Sequence, residues 1–309
     1  MQWTGNNGTL KNCNFINNIA KNNGGSIYWS GANSTITGCT FTNNTAANWG
    51  GAILWNRNAI NGIITGCTFT NNTSNGAGGG AIEWDGAHGT ITDSIFTNNN
   101  AKNGNGGSIY WEGVNGIITG CTFTNNTAVN WGGAILWNRN AINGAITGCT
   151  FTNNHATTWG GGAIEWDGAH GTITDSTFTN NNAESGSGGA VFWNSTNGSL
   201  IDSTFNGNIA NYGGAIYLYI SGSMVDCNFV NSKWSNSNSK SNGIFARNNL
   251  NIVGGNGIVD IVTNNTISGI SIVVLNNETY YYPPNTNINL IYLQNHEHET
   301  AKDNLQNNQ

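Results

Sequence analysis

The chain has 309 residues, of which 8% are charged, and its formal net charge is −6. That balance excludes the basic footprint of a nucleic-acid-binding protein and gives no attraction to an anionic membrane surface. Twelve Trp and eleven Phe supply apolar surface to a chain otherwise rich in Asn, Gly and Ser, which argues against disorder.

In chain order, the opening Met1-Gln2-Trp3-Thr4-Gly5 aligns with Trp29-Ser30-Gly31. The sequence therefore starts in mid-repeat and reads as a fragment, or a truncated open reading frame, of a larger surface protein, with targeting and anchoring parts elsewhere. Nine Phe anchors follow at spacings of 24 to 28 residues: Phe15, Phe41, Phe69, Phe96, Phe123, Phe151, Phe178, Phe205 and Phe229. Most read F-T-N-N, preceded by G-C-T and followed by G-G-A-I-x-W. A repeat this dense signals stacked supersecondary units. Gly, Asn and Thr are poor helix formers, and the apolar spacing has period two: Cys67 with Phe69, Ile53 with Trp55. Each repeat is expected to give two or three short strands, joined by N-N, G-G and N-G turns. A turn of roughly 25 residues coiling on itself is one rung of a right-handed parallel β-helix, with rungs about 4.8 Å apart.

The fold expected is all-β: a β-solenoid of this kind over residues 1–232, with Phe, Cys, Ile and Trp inside. Both Asn of each pair, such as Asn43-Asn44 and Asn71-Asn72, are expected to form amide ladders, and Asn also tolerates a left-handed backbone. The paired glycines, such as Gly50-Gly51, suit a positive φ or close backbone approach. A longer period lies above the first. W-G-G-A-I-L-W-N-R-N-A-I-N-G starts at Trp49 and at Trp131, and G-G-G-A-I-E-W-D-G-A-H-G at Gly78 and Gly160, both 82 residues apart. Three rungs were duplicated as a block. From about Ser232 the pattern dissolves; residues 233–293 are expected to be a C-terminal β cap or small β module, and 294–309 a polar, disordered tail.

F-x-x-N paired with G-G-A-[ILV] resembles the repeat of the chlamydial polymorphic outer membrane proteins. The fuller G-C-T-F-T-N-N…G-G-A-I form resembles the adhesin-like surface proteins of gut methanogenic archaea. The resemblance covers residues 1 to about 230. It implies a right-handed β-helix on the cell surface, a role in adhesion and no catalytic residues.

Four sets of residues are candidates for chemistry. Cys13, Cys39, Cys67, Cys121, Cys149 and Cys227 share one repeat position, taken elsewhere by Ser94, Ser176 and Ser203. Parallel Cβ vectors fit disulfide torsions badly, so reduced thiols acting as small apolar column members are expected. Glu83, Asp85 and His88, copied at Glu165, Asp167 and His170, are the acid–base candidates. The plainer reading is a solvated turn, with Arg57 pairing Asp85 and Arg139 pairing Asp167, worth about 0–1 kcal/mol per pair. Asp175, Asp202 and Asp226 form a carboxylate column that suits Ca²⁺ or, more simply, a left-handed backbone shared with Gly and Asn. The fourth set lies between Ile and Trp of G-G-A-I-x-W: Tyr28, Leu54, Glu83, Tyr110, Leu136, Glu165, Phe192 and Tyr217. By alternation this row faces outward and is expected to be an exposed contact stripe, unless a crossing segment covers it.

The function read from these features is an extracellular, cell-surface adhesin-like rod that attaches to cells or glycans. It is read as no enzyme, with no cofactor and no metal. Its expected partners are host or neighbouring-cell surface proteins or glycans, with no nucleic acid, and membrane contact only through other parts of the full-length protein. A β-helical carbohydrate-active enzyme (polysaccharide lyase or glycosidase) and a passive cell-wall spacer are the alternatives.

Overall fold

The computed structural model describes residues 1–220 in full. Beyond them it describes the strands at 222–225, 228–230, 233–234, 244–246, 250–253, 261–262, 271–275, 278–282 and 288–290. Cys227, Asp226 and the tail at 294–309 lie outside the described residues. There is no helix among the described residues. Each rung contributes four short strands, one more than the sequence suggested, and each joins its own sheet. In the second rung these are Ile27–Trp29, Thr35–Thr37, Thr40–Thr42 and Thr45–Ala46. We call the sheets they belong to the Trp, Ile, Phe and Ala sheets. All four are parallel between successive rungs and in register, apart from a shift between Ala183 and Ser187 in the Ala sheet, so Trp29 pairs with Trp55 and Phe69 with Phe96. This is a parallel β-helix. The Trp sheet extends to Ile261–Val262 and the Ile sheet to Ile288–Leu290, while Ser271–Leu275 and Glu278–Tyr282 form an antiparallel hairpin.

Register turns sequence identity into columns. Trp rings from Trp3 to Trp193 stack at centroid separations of 4.6–5.3 Å. Phe rings from Phe15 to Phe205 stack at 4.7–4.9 Å. These values track the strand spacing of about 4.8 Å. Parallel rings this far apart are slid past one another, which is the favourable offset arrangement. Ile36, Ile64, Ile91, Ile118, Ile146 and Ile173 complete the dry interior. Most Trp indoles donate to a carbonyl just downstream, as Trp84 Nε1 does to Gly86 O at 2.9 Å. That bond folds the segment after the Trp strand back onto the ring, and Gly89 is needed there because a Cβ would lie 2.2 Å from Trp84 Nε1.

The turn residues divide their tasks more sharply than the sequence suggested. The first Asn of each pair supplies the left-handed backbone, with φ of 56° at Asn43 and 54° at Asn125. Only the second Asn forms the ladder. Asn126 Nδ2 donates to Asn154 Oδ1 and to Phe96 O, both at 3.0 Å, and its Oδ1 accepts from the backbone N and Nδ2 of Asn99. The ladder expected of both positions is thus confined to one, because the first side chain points to solvent. The glycine pairs split likewise. Gly50 has φ of 62°, whereas a Cβ on Gly51 would meet Gly80 O at 2.0 Å.

Cys13, Cys39, Cys67, Cys121 and Cys149 are unbonded thiols, as expected from their parallel stacking. Their role is more than apolar filling. Cys39 N donates to Cys67 Sγ at 3.4 Å, and Cys67 N donates to Ser94 Oγ at 3.1 Å. From Cys39 to Ser203, each side chain at this position accepts a backbone N–H from the rung before it, a task that thiol and hydroxyl both perform, and Cys and Ser interchange for that reason.

Candidate functional site

The row between Ile and Trp does point away from the interior, but it is not an exposed stripe. Leu54 and Leu136 are 5% exposed, Tyr110, Phe192 and Tyr217 9%, Glu83 4% and Glu165 3%; Tyr28 is half-buried. The cover comes from side chains that reach across rungs. Tyr110 leans back over the rung of Glu83, so that a Cβ on Gly78 would sit 2.5 Å from its Cδ2. Its edge meets Trp49, two rungs away, at 5.5 Å. In the duplicated block Phe192 leans over Gly160 and meets Trp131 at 5.2 Å. These two rungs are the ones that read G-G-G, and the extra glycine makes room for the crossing ring. Asn56 Nδ2 donates to Tyr28 OH at 2.9 Å, and Asn138 Nδ2 to Tyr110 OH at 2.8 Å, which pins the tyrosines down.

Under these rings lie two buried acids. Burial, and then the neighbouring charge of Asp85, hold the Glu83 carboxyl well above the usual carboxylate range; burial followed by Asp167 does the same for Glu165. The Asp two residues on favours the protonated form of each Glu, by its charge and as a nearby hydrogen-bond acceptor. As two ionised carboxylates both would only accept; with Glu protonated, its O–H is a donor for the Asp. Oε2 of both Glu83 and Glu165 is buried and receives no hydrogen bond from the protein. Asp85 is pushed up to about 6, by burial and then by Glu112. Asp167 instead accepts from Asn194 Nδ2 at 2.9 Å.

The second copy opens into a cleft of about 430 Å³ lined by Trp131, Leu136, Arg139, Glu165, Asp167, Phe192, Asn194 and Tyr219. Leu136, Glu165 and Phe192 belong to the row singled out from the sequence. Trp131, Asn194 and Tyr219 were not singled out, although aligning the two blocks exposes them. Across the 82-residue offset Ala77 becomes Trp159, Tyr110 becomes Phe192 and Glu112 becomes Asn194; one rung on, where the offset is 81, Asn138 gives way to Tyr219.

The expected Arg pairs are not contacts. Among the described residues the ion pair within 4 Å is His155–Glu184, at 3.0 Å. Arg57 and Arg139 are exposed, and Arg57 acts on Asp85 only as a nearby charge. His88 and His170 are exposed turn residues with φ of 56° and 58°, in the place that Asn61 and Asn115 take on other rungs. Asp175 and Asp202 have φ of 49° and 46°, as do Gly66 and Gly148 near 60° at the same position, so backbone conformation accounts for the interchange.

A family model described as right handed beta helix region matches residues 2–143, and that of the Chlamydia polymorphic membrane protein repeat matches residues 148–164 and 202–219. No curated protein matches the chain. The fold is a right-handed parallel β-helix. Its repeats are of the polymorphic membrane protein type.

Proposed function

We propose that this chain is the rod of an extracellular, surface-located adhesin-like protein that attaches to neighbouring-cell or host surface proteins or glycans. The observation that carries this reading is the occurrence of polymorphic membrane protein repeats in one in-register β-helix, since such repeats are typical of outer-membrane or surface proteins. Duplication of a three-rung block lengthens a rod without disturbing it, because the strands of each rung pair only with those of its neighbours and the two-rung contacts are copied within the block. The partner surface is not the Ile-x-Trp row as a whole, which is roofed; it comprises the segments that roof it and the cleft of the second copy. Beads coated with the chain are expected to attach to cells, and soluble chain to compete. Failure of coated beads to attach to any cell type tested would overturn the reading.

The carbohydrate-active alternative rests on the protonated Glu165 beside Asp167. A glycosidase pair needs its carboxyls about 5–5.5 Å or 6.5–9.5 Å apart, on opposite sides of the sugar. Glu165 and Asp167 are two residues apart at the end of one strand, close enough for the Asp to shift the Glu carboxyl, and carboxyls side by side on one rung do not straddle a ring. We therefore read the pair as non-catalytic and expect no polysaccharide turnover. Turnover that vanishes in the double variant Glu83→Gln, Glu165→Gln would reverse this.

A further inference from the structure

The two copies of the Glu-Trp-Asp rung share a floor and differ in their walls. In the first, Tyr110 is held by Asn138 at 2.8 Å, and Glu112 adds a third carboxylate beside Glu83 and Asp85. In the second, the phenol is replaced by Phe192, the pinning amide by Tyr219, and the third carboxylate by Asn194. Trp159, where the first copy has Ala77, is 54% exposed and stacks on Trp131 at 5.8 Å. Taken together, the changes make the second copy more aromatic, through Trp159 and Tyr219, and less acidic, through Asn194.

From this divergence we propose that the cleft between Trp131 and Tyr219 binds an uncharged pyranose, with Glu165 Oε2 and Asn194 as hydrogen-bonding partners of its hydroxyls. The proposal deepens the adhesin reading and rests on it for its biological setting. The volume of about 430 Å³ falls in the range of small-ligand sites. A pyranose has an apolar C–H face, which an aromatic wall accommodates, and a ring of hydroxyls that need polar partners in the plane of the ring. The floor supplies them. Glu165 lines the cleft and its Oε2 is a buried acceptor with no donor of its own, and leaving such a group unpaired is costly; a turn of the carboxyl toward the cleft lets a ligand hydroxyl provide the donor. Asn194, Asp167 and Arg139 add an amide, an acceptor and a donor at the rim. Charge narrows the class. An anionic ligand would face Asp167, and a cationic one would face Arg139 without the Glu112 carboxylate of the first copy.

The test uses the full chain and saturation-transfer NMR with methyl glycosides of glucose, galactose, mannose and N-acetylglucosamine. Glucuronate and tetramethylammonium serve as charged contrasts. At least one neutral glycoside is expected to bind. The triple variant Phe192→Tyr, Asn194→Glu, Tyr219→Asn recreates the first copy's walls from residues that the fold already accepts, and should weaken binding by about tenfold or more. Glu165→Leu should do the same through the floor. Circular dichroism and melting confirm that both variants fold. Binding of none of the glycosides, preference for either charged probe, or unchanged binding in both variants would overturn the proposal. The bead assay separates the two readings: attachment without glycoside binding removes the cleft and leaves the adhesin. Glycoside binding without attachment does the opposite.

Discussion

At the scale of the residue, adjacent asparagines of one turn do different things, and substitution separates them. Asn126→Ala would strand the Phe96 carbonyl and both amide groups of Asn99 that now bond it. At roughly 1–3 kcal/mol per unpaired buried group, partly relaxed, the loss should be about 2–4 kcal/mol. Asn125 carries only the left-handed backbone, with φ of 54°. Asn125→Ala should cost roughly 1–2 kcal/mol and Asn125→Gly close to nothing, as read from chemical denaturation. The buried acids give a pH signature of definite sign. Glu83, Glu165 and Asp85 have folded pKa values above their unfolded ones, near 4.3 for Glu and 3.9 for Asp. The folded state thus binds more protons than the unfolded chain, and stability falls as pH rises out of that acid range. For Asp85 the fall is complete only above about 6, and for the two Glu it extends further. Melting temperature should decline across this window, and Glu83→Gln with Glu165→Gln should flatten the decline. A wild-type melting temperature that rises from pH 4 to 7 would contradict the protonated pairs.

At the scale of the element, the inward columns were legible in the sequence and the outward row was not. Ile and Trp alternate with one residue between them, so the strand period alone put Ile53 and Trp55 inside, and strict repetition made the register unavoidable. The same alternation says that Glu83 faces outward and is silent on what lies above it. Its burial depends on Tyr110 reaching over Gly78 to Trp49, a contact spanning two rungs that no single-strand pattern encodes. The one visible hint is the third glycine on these rungs. The cysteine column was half legible: parallel stacking excluded disulfides, while the acceptor role of Sγ emerged only from N–H groups pointing along the axis. That column also yields a prediction. Burial pushes the Cys67 thiol up to about 11, and the thiolate is the reactive form. Cys39, Cys67, Cys121 and Cys149 are buried out of reach of a reagent and should resist Ellman's reagent in the native protein, and of these five thiols half-buried Cys13 should react first. Rapid native labelling of all the thiols would show that the columns open readily.

At the scale of the whole molecule, a chain whose strands pair only between neighbouring rungs should not lose its stability all at once. The Trp column tests this directly. Trp111 is fully buried and stacked on Trp84 and Trp137 at 4.8 and 5.0 Å. Trp111→Ala should remove about 3–5 kcal/mol of local stability, as large buried aromatics do. The cavity is bounded by the two adjoining rungs, so the damage has a defined reach. In hydrogen exchange followed by mass spectrometry, amides of Ile82–Trp84 and Ile135–Trp137 should lose protection. Those of Ile27–Trp29 and Val191–Trp193, separated from the cavity by intact rungs, should keep most of theirs. A uniform loss of protection from end to end would mean that the rod unfolds as one unit, with interfaces so strong relative to each rung that a local defect cannot be contained.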